Sequence, residues 1–275
     1  MHSELFSLFG LHIQMYGVML ALGFAACYLL AQLLARKTGR NPKEVDTLVM
    51  VSALCGVIGA RAVYVWQNWA AEFAEAPLTL FALWRGGLVF YGGFILATLG
   101  LILYARLKGE RTVDFLGFCV VFVPLGHAFG RIGCFFHGCC FGGPCDTLLG
   151  VRYPAQSPVW FHQVAHKVIS RHAPFTLPVW PTQLIEAAGC LLLFGLLWFT
   201  YLHTAPRRRA SLCCGLYCTL YAALRYLVEL LRDDPRGATL CGLSFSQILS
   251  LGLFAAGLAF LVIAHREKKN GPVHR

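Results

Sequence analysis

The chain has 275 residues, 57% of them apolar and only 13% charged, with a mean hydropathy of +0.63. A soluble domain carries roughly 25% charged residues, so this chain cannot cover a water-facing surface. Disorder, collagen and coiled coil are excluded by the same composition, which leaves an integral membrane protein with several spans. The formal net charge of +10 is explained by Lys- and Arg-rich cytoplasmic loops, and no nucleic-acid partner is expected.

Apolar runs separated by short polar links predict an all-α integral membrane protein with seven transmembrane helices, over 12–35, 45–66, 86–105, 112–135, 181–203, 211–231 and 244–264. Each is close to the ~20 residues needed to cross the hydrocarbon. The N-terminus lacks a basic leader and a small-residue cleavage site, so the first span is expected to stay in the mature protein.

The links alternate in charge. Those after spans one, three, five and seven hold Arg36, Lys37, Arg40 and Lys43; Arg106, Lys108 and Arg111; Arg207, Arg208 and Arg209; and Arg266, Lys268, Lys269 and Arg275. The opposite side holds the sparser Arg85, Arg152, Lys167, Arg171, Arg232 and Arg236. Basic residues concentrate on the cytoplasmic side, so the N-terminus is expected outside and the C-terminus in the cytoplasm. The long link at about 136–180 is too apolar for a tether (Trp160, Phe161, Phe175, Trp180) and reads as a small external cap. The whole chain, 1–275, is therefore expected to form one transmembrane helical domain.

Charged side chains near the bilayer centre cost about 2.5–3.5 kcal/mol on insertion scales, which makes them functional candidates. Along the chain, the third span opens with Arg85-Gly86-Gly87 and continues through Tyr91-Gly92-Gly93. Paired glycines distort a helix, and irregular backbone at membrane depth lines a cavity or is buried in protein. The fourth span carries His127 and Arg131 at i, i+4 and then Cys134, followed by His137 and Gly142. The fifth opens with Pro181-Thr182-Gln183 and has Glu186 on the face of Gln183, where it could partner a buried arginine. In the sixth, Tyr221, Arg225, Glu229 and Arg232 form one polar stripe. Two arginines for one carboxylate on that stripe leave positive charge over. Arg131, Arg225 and Arg232 together suit a phosphate, which guanidinium groups bind bidentately. In a bilayer such an anion is most simply a phospholipid head group.

Cys134, Cys139, Cys140 and Cys145 cluster on the side expected to be external, where disulfides are permitted. A bridge from Cys139 or Cys140 to Cys145 would stiffen the loop beside Arg131. His137 with the cysteines could supply zinc ligands, but the spacing is not a standard zinc pattern, and neither a metal nor a cofactor is expected.

Taken in order, these motifs resemble those of the prolipoprotein diacylglyceryl transferases of bacterial inner membranes. Leu11-His12-Ile13-Gln14-Met15-Tyr16-Gly17, the two glycine pairs, Gly130-Arg131-Ile132-Gly133 with Phe141-Gly142, Pro181-Thr182-Gln183-Leu184 with Glu186, the sixth-span stripe and Ser246-Gln247-Ile248-Leu249-Ser250 carry the likeness over nearly the whole length. The resemblance implies transfer of the diacylglyceryl group of phosphatidylglycerol to the cysteine thiol of a prolipoprotein signal peptide, in the bacterial inner (plasma) membrane. The expected partners are therefore phosphatidylglycerol, prolipoprotein signal peptides and membrane lipid. Arg131 and Arg225 would neutralise the departing phosphate, with Tyr91 or His137 as further catalytic groups. Tyr16, Gly92, Gly93, Cys134, Gly142, Gln183, Glu186, Tyr221, Glu229 and Arg232 would line the substrate site. The sequence departs from the family at three points. Tyr91 stands where a histidine is common, Cys134 where asparagine is common, and His137-Gly138-Cys139-Cys140 where a glutamate is common. The alternative is a divergent membrane thiol-redox or lipid-binding protein without transferase activity.

Overall fold

The computed structural model describes residues 4–8, 11–74, 76–82, 86–234 and 242–269. Arg85, Arg236, Cys241 and Arg275 lie outside them. A short antiparallel hairpin pairs β1 (Glu4–Leu8) with β2 (Leu11–Gln14). Nine α-helices follow among the described residues: α1 (Met15–Thr38), α2 (Pro42–Asn68), α3 (Phe90–Leu107), α4 (Thr112–Val120), α5 (Val123–His137), α6 (Pro158–Ala165), α7 (Thr182–His203), α8 (Pro206–Leu231) and α9 (Phe245–Lys269).

Six helical stretches are long and apolar enough to cross a membrane: α1, α2, the α4–α5 pair, α7, α8 and α9. The apolar stretch Tyr91–Leu107 of α3 is shorter. Their outward faces carry large apolar side chains such as Leu192 (77% exposed), Ile58 and Val262. Water would penalise so much exposed hydrocarbon, whereas lipid does not. The protein is a multi-pass integral membrane protein.

Three of the differences from the expected spans have a local reason. The first span begins at Met15 rather than 12, because 11–14 is drawn into the hairpin, the one sheet among the described residues. The third begins at Phe90 rather than 86. Gly86 and Gly87 take positive φ values of 78° and 77°, which an α-helix excludes. The fourth is split between α4 and α5, since Pro124 lacks the N–H that would continue the hydrogen-bond ladder.

The chain divides into two compact units. The first comprises Met1–Cys27 and Gly117–Arg275. In it α5 packs on α7, α7 on α8 and α8 on α9. Glycines permit the close approaches: a Cβ on Gly189 would strike Leu224, and one on Gly257 would strike Thr219. Between α5 and α7 the chain folds over its own apolar core of Phe141, Tyr153, Val159 and Val179. Isolated bridges tie it together at Pro144–Val179, Val151–Val179 and Pro154–Phe175. Inside it α6 starts at Ser157, whose hydroxyl accepts from the Trp160 N–H.

The second unit is Tyr28–Leu116, with α2 against α3. Gly92 and Gly93 face Gly59 and Gly56, and a Cβ on Gly93 would lie 2.7 Å from the Gly56 oxygen. Arg61, buried on α2, donates to the carbonyls of Thr79 (2.8 Å), Leu80 (2.8 Å), Gly86 (2.7 Å) and Gly87 (3.1 Å). One planar fork thus gathers two loop segments and sets where α3 begins. Hydrogen bonds to a charged group contribute about 1.5–3 kcal/mol each and are not additive. Arg61→Ala should therefore lower stability by about 3 kcal/mol or more, read as thermal unfolding in detergent micelles, and Arg61→Lys should restore only part of it because an ammonium cannot span four carbonyls.

Candidate active site

The densest set of charged groups in the first unit lies where α5, α7 and α8 meet. The α5 backbone presents Arg131, whose Nη2 lies 3.1 Å from Oε1 of Glu186 on α7. Glu186 is fully enclosed, at 1% exposure. The Tyr221 hydroxyl donates to the same oxygen at 3.3 Å. The other oxygen, Oε2, is 3.9 Å from Nη1 of Arg225. One turn along α8, Arg225 Nη2 makes a 2.7 Å ion pair with Glu229. Glu229 also accepts a 2.6 Å hydrogen bond from the Ser244 hydroxyl just before α9. Arg232 Nη1 is 4.0 Å from Glu229, and Arg232 is held bidentately by Asp234 at 2.8 and 2.7 Å. The i, i+4 spacing of Tyr221, Arg225 and Glu229 puts them in line on one helix face. Tyr221 is fixed by rings on two sides, stacking on Tyr217 at 5.4 Å and meeting His127 at 5.0 Å.

The surplus positive charge expected from the α8 stripe is therefore compensated. Glu186 serves Arg131 and Arg225, Glu229 serves Arg225 and Arg232, and Asp234 serves Arg232. The physical reason is that Glu186 and Asp234 come from outside the stripe, from another helix and from the following turn. Among the described residues, Arg131 engages its carboxylate through Nη2 only, which leaves most of its five donors for a further anion.

Beyond α5 the chain turns at Gly138, whose φ of 79° caps the helix in the left-handed region. Cys140 follows at φ 59°, a conformation that costs an ordinary residue energy. The first turn of α7 holds this loop by its main chain. The Thr182 hydroxyl donates to the Cys140 carbonyl at 2.7 Å, and the Gln183 amide donates to the Cys139 carbonyl at 2.6 Å. Gln183, wholly buried, also reaches the Tyr153 hydroxyl at 3.2 Å. Gly142 and Gly143 are then pinned between strandlike neighbours, their N–H groups donating to Trp180 and Leu231 carbonyls. A side chain on Gly142 would collide with Trp180 and the Leu231 oxygen.

Tyr16 at the start of α1 packs against Gly133, where a Cβ would fall 2.9 Å from its ring. It lies within electrostatic range of Cys134, Cys139, Cys140 and Arg131. The sulfurs of Cys134, Cys139 and Cys140 lie within 4.8 Å of one another. The thiols of Cys134 and Cys139, then the Arg232 and Arg131 guanidiniums, hold the Cys140 thiol well below the usual thiol range, while the sulfurs of Cys134 and Cys140 push Cys139 up. Cys145 stands apart from them as a buried free thiol 3.1 Å from the Thr147 hydroxyl, so of the readings the sequence left open for it the structure has the unbridged one.

Among the residues singled out in the sequence, Arg131, Cys134, Gly142, Gln183, Glu186, Tyr221, Arg225, Glu229, Arg232 and Tyr16 thus fall in one connected region. His137 ends α5 with an exposed side chain. Tyr91, Gly92 and Gly93 open α3 in the second unit, where the two glycines serve the packing on α2. Ser244, Asp234 and Thr182 were not anticipated as contributors. Thr182 could have been found beside Gln183, but Ser244 and Asp234 sit in links whose course no periodicity reveals.

The family model described as prolipoprotein diacylglyceryl transferase matches residues 3–263. The chain belongs to the prolipoprotein diacylglyceryl transferase family. Proteins named phosphatidylglycerol–prolipoprotein diacylglyceryl transferase are similar to it throughout. That of Clostridium tetani is 32% identical over 94% of this chain and 96% of its own length. That of Bordetella avium is 32% identical over 95% and 94%, and that of Methylococcus capsulatus 31% over 94% and 93%. For this family member the connected region on α5, α7 and α8 is the candidate active site.

Removing one partner of a buried ion pair leaves an uncompensated charge and costs about 3–5 kcal/mol. Glu186→Gln should therefore destabilise the protein by about that amount, measured by thermal unfolding in micelles. In a double-mutant cycle with Arg131→Gln the two losses should fall well short of additive, since each single change strands the other member of the pair and the double change strands neither.

Proposed function

We propose that this protein transfers the diacylglyceryl group of phosphatidylglycerol to the thiol of a cysteine in a prolipoprotein signal peptide. A C–S bond forms at the glycerol carbon, the C–O bond to phosphate breaks, and glycerol phosphate leaves. Such a displacement needs oriented cations at the departing phosphodiester. The observation that carries the reading is the Arg131–Glu186–Arg225 arrangement, two guanidiniums held on a single buried carboxylate. Glu186 fixes their spacing before substrate arrives, and the remaining donors of Arg131 grip phosphate. Arg225 neutralises charge on the leaving group. Tyr221 keeps Glu186 in place. Tyr16, Cys134, Gly142, Gln183, Glu229 and Arg232 shape the head-group site, and Tyr91, His137, Gly92 and Gly93 are the further candidates inherited from the sequence.

The architecture proposed with it is a single transmembrane domain, 1–275, of seven spans, α3 being the seventh. The N-terminus is outside, the C-terminus is cytoplasmic, and the segment at about 136–180 forms an external cap in a bacterial inner membrane. The Lys- and Arg-rich links after α1, α3, α7 and α9 support this orientation.

The test is complementation of a strain depleted of its own transferase, followed by mass analysis of the first peptide of a lipoprotein. The wild-type chain should add a diacylglyceryl mass to the cysteine. Arg131→Ala and Arg225→Ala should abolish that addition while the protein still inserts. Arg131→Lys should be more damaging than Tyr91→Phe, because an ammonium loses the bidentate geometry. Unmodified lipoprotein with the wild-type chain present would refute the reading.

A further inference from the structure

The three sulfurs of Cys134, Cys139 and Cys140 remain outside the phosphate chemistry. Their convergence is built. Cys134 lies in the last turn of α5, and its carbonyl accepts from the Cys139 N–H at 3.2 Å as the chain turns back through Gly138. Gln183 and Thr182 then clamp the next two carbonyls, and the left-handed Cys140 turns its side chain to the same spot. All three are partly accessible rather than sealed in the core. With a metal–sulfur bond of about 2.3 Å, three ligand sulfurs lie about 3.8–4.0 Å apart, so the observed grouping within 4.8 Å needs only a small contraction. Among the described residues no fourth protein donor joins the three sulfurs, and three thiolates alone are the donor set of an open site, one that keeps a position for substrate. Soft thiolates select thiophilic ions, and the nearby Arg131 and Arg232 charges offset the negative charge such a complex carries.

We propose that Cys134, Cys139 and Cys140 bind a thiophilic d10 cation, zinc or copper(I), whose open position takes the thiol of the substrate cysteine. The second half of this inference rests on the transferase reading. The arriving thiol loses its proton to solvent on binding, because a metal-coordinated thiol is deprotonated outright. Its sulfur lone pair then attacks the glycerol carbon, the carbon–oxygen bond to phosphate breaks, and glycerol phosphate departs held by the arginines. The neutral thioether is a poorer ligand than a thiolate and leaves the metal. No oxidant or reductant is required.

The experiment uses the full chain, purified in detergent micelles with reductant and no metal. Zinc is titrated in one arm and copper(I) in another, each against a chelator of known affinity, and cobalt(II) is added in a third to read sulfur-to-metal charge-transfer absorption. One ion should bind per chain in the zinc or the copper(I) arm. Losing a ligand should weaken binding by more than the roughly 10–100-fold that loss of a supporting outer-shell group costs, in Cys139→Ser and Cys140→Ser but not in Cys213→Ser, which lies in α8. A synthetic signal peptide should shift the cobalt spectrum, and the same peptide with serine for cysteine should not. The metal site is overturned if no ion binds beyond what the Cys134→Ala/Cys139→Ala/Cys140→Ala chain holds. It is also overturned if peptide maps of a parallel preparation made without reductant find these cysteines joined in a disulfide. An unchanged spectrum with the cysteine peptide overturns the substrate role alone. Normal diacylglyceryl transfer by the metal-free chain overturns the substrate role and leaves the transferase reading intact, whereas stoichiometric metal binding without any transfer upholds the metal site and overturns the transferase reading together with the substrate role that rests on it.

Discussion

The candidate site depends on one buried carboxylate. Glu186 is enclosed by protein and is approached by Arg131, Arg225 and Tyr221 from two other helices. A guanidinium alone in a low-dielectric interior would carry a large desolvation penalty, and two side by side would repel as well. Glu186 offsets both effects and fixes how far apart α5 and α8 hold their cations. The arrangement costs stability compared with an apolar interface of the same size. Such a cost is tolerated where charge has work to do, and here it stands beside a loop of fixed shape rather than in a plain helix–helix seam.

Much of this was legible in the chain. The spacing of Tyr221, Arg225, Glu229 and Arg232 alone puts them on one face, and Gln183 with Glu186 at the start of a span points to a partner across the bundle. Periodicity works because a helix converts sequence distance into direction. The electrostatic balance was not legible in the same way. Asp234 folds back onto Arg232 and Ser244 onto Glu229 from links with no repeat to read, and each changes the local account of charge or hydrogen bonding.

The fold shows the same division. Apolar runs located the spans, but their ends were decided by particular contacts. Arg61 gathers four carbonyls and so delays the start of α3, a role invisible when Arg61 is only one more charge inside an apolar run. Pro124 interrupts the fourth span at a point hydropathy does not register, because hydropathy counts side chains and the missing group is a backbone N–H. The glycine pair Gly92-Gly93, suggestive of a pocket in sequence, lies against Gly59 and Gly56 of α2 at backbone contact distance.

The grip of Thr182 and Gln183 on the Cys139 and Cys140 carbonyls has an evolutionary corollary. Main-chain oxygens are the same whatever residue bears them, so the scaffold specifies the course of the turn while leaving the identity of its side chains unconstrained. The left-handed backbone at Gly138 and Cys140 narrows the choice there, toward glycine, asparagine or aspartate. Relatives can exchange the chemistry displayed at this spot without redesigning what supports it, and a cysteine-bearing version can diverge from a carboxylate-bearing one by point substitution.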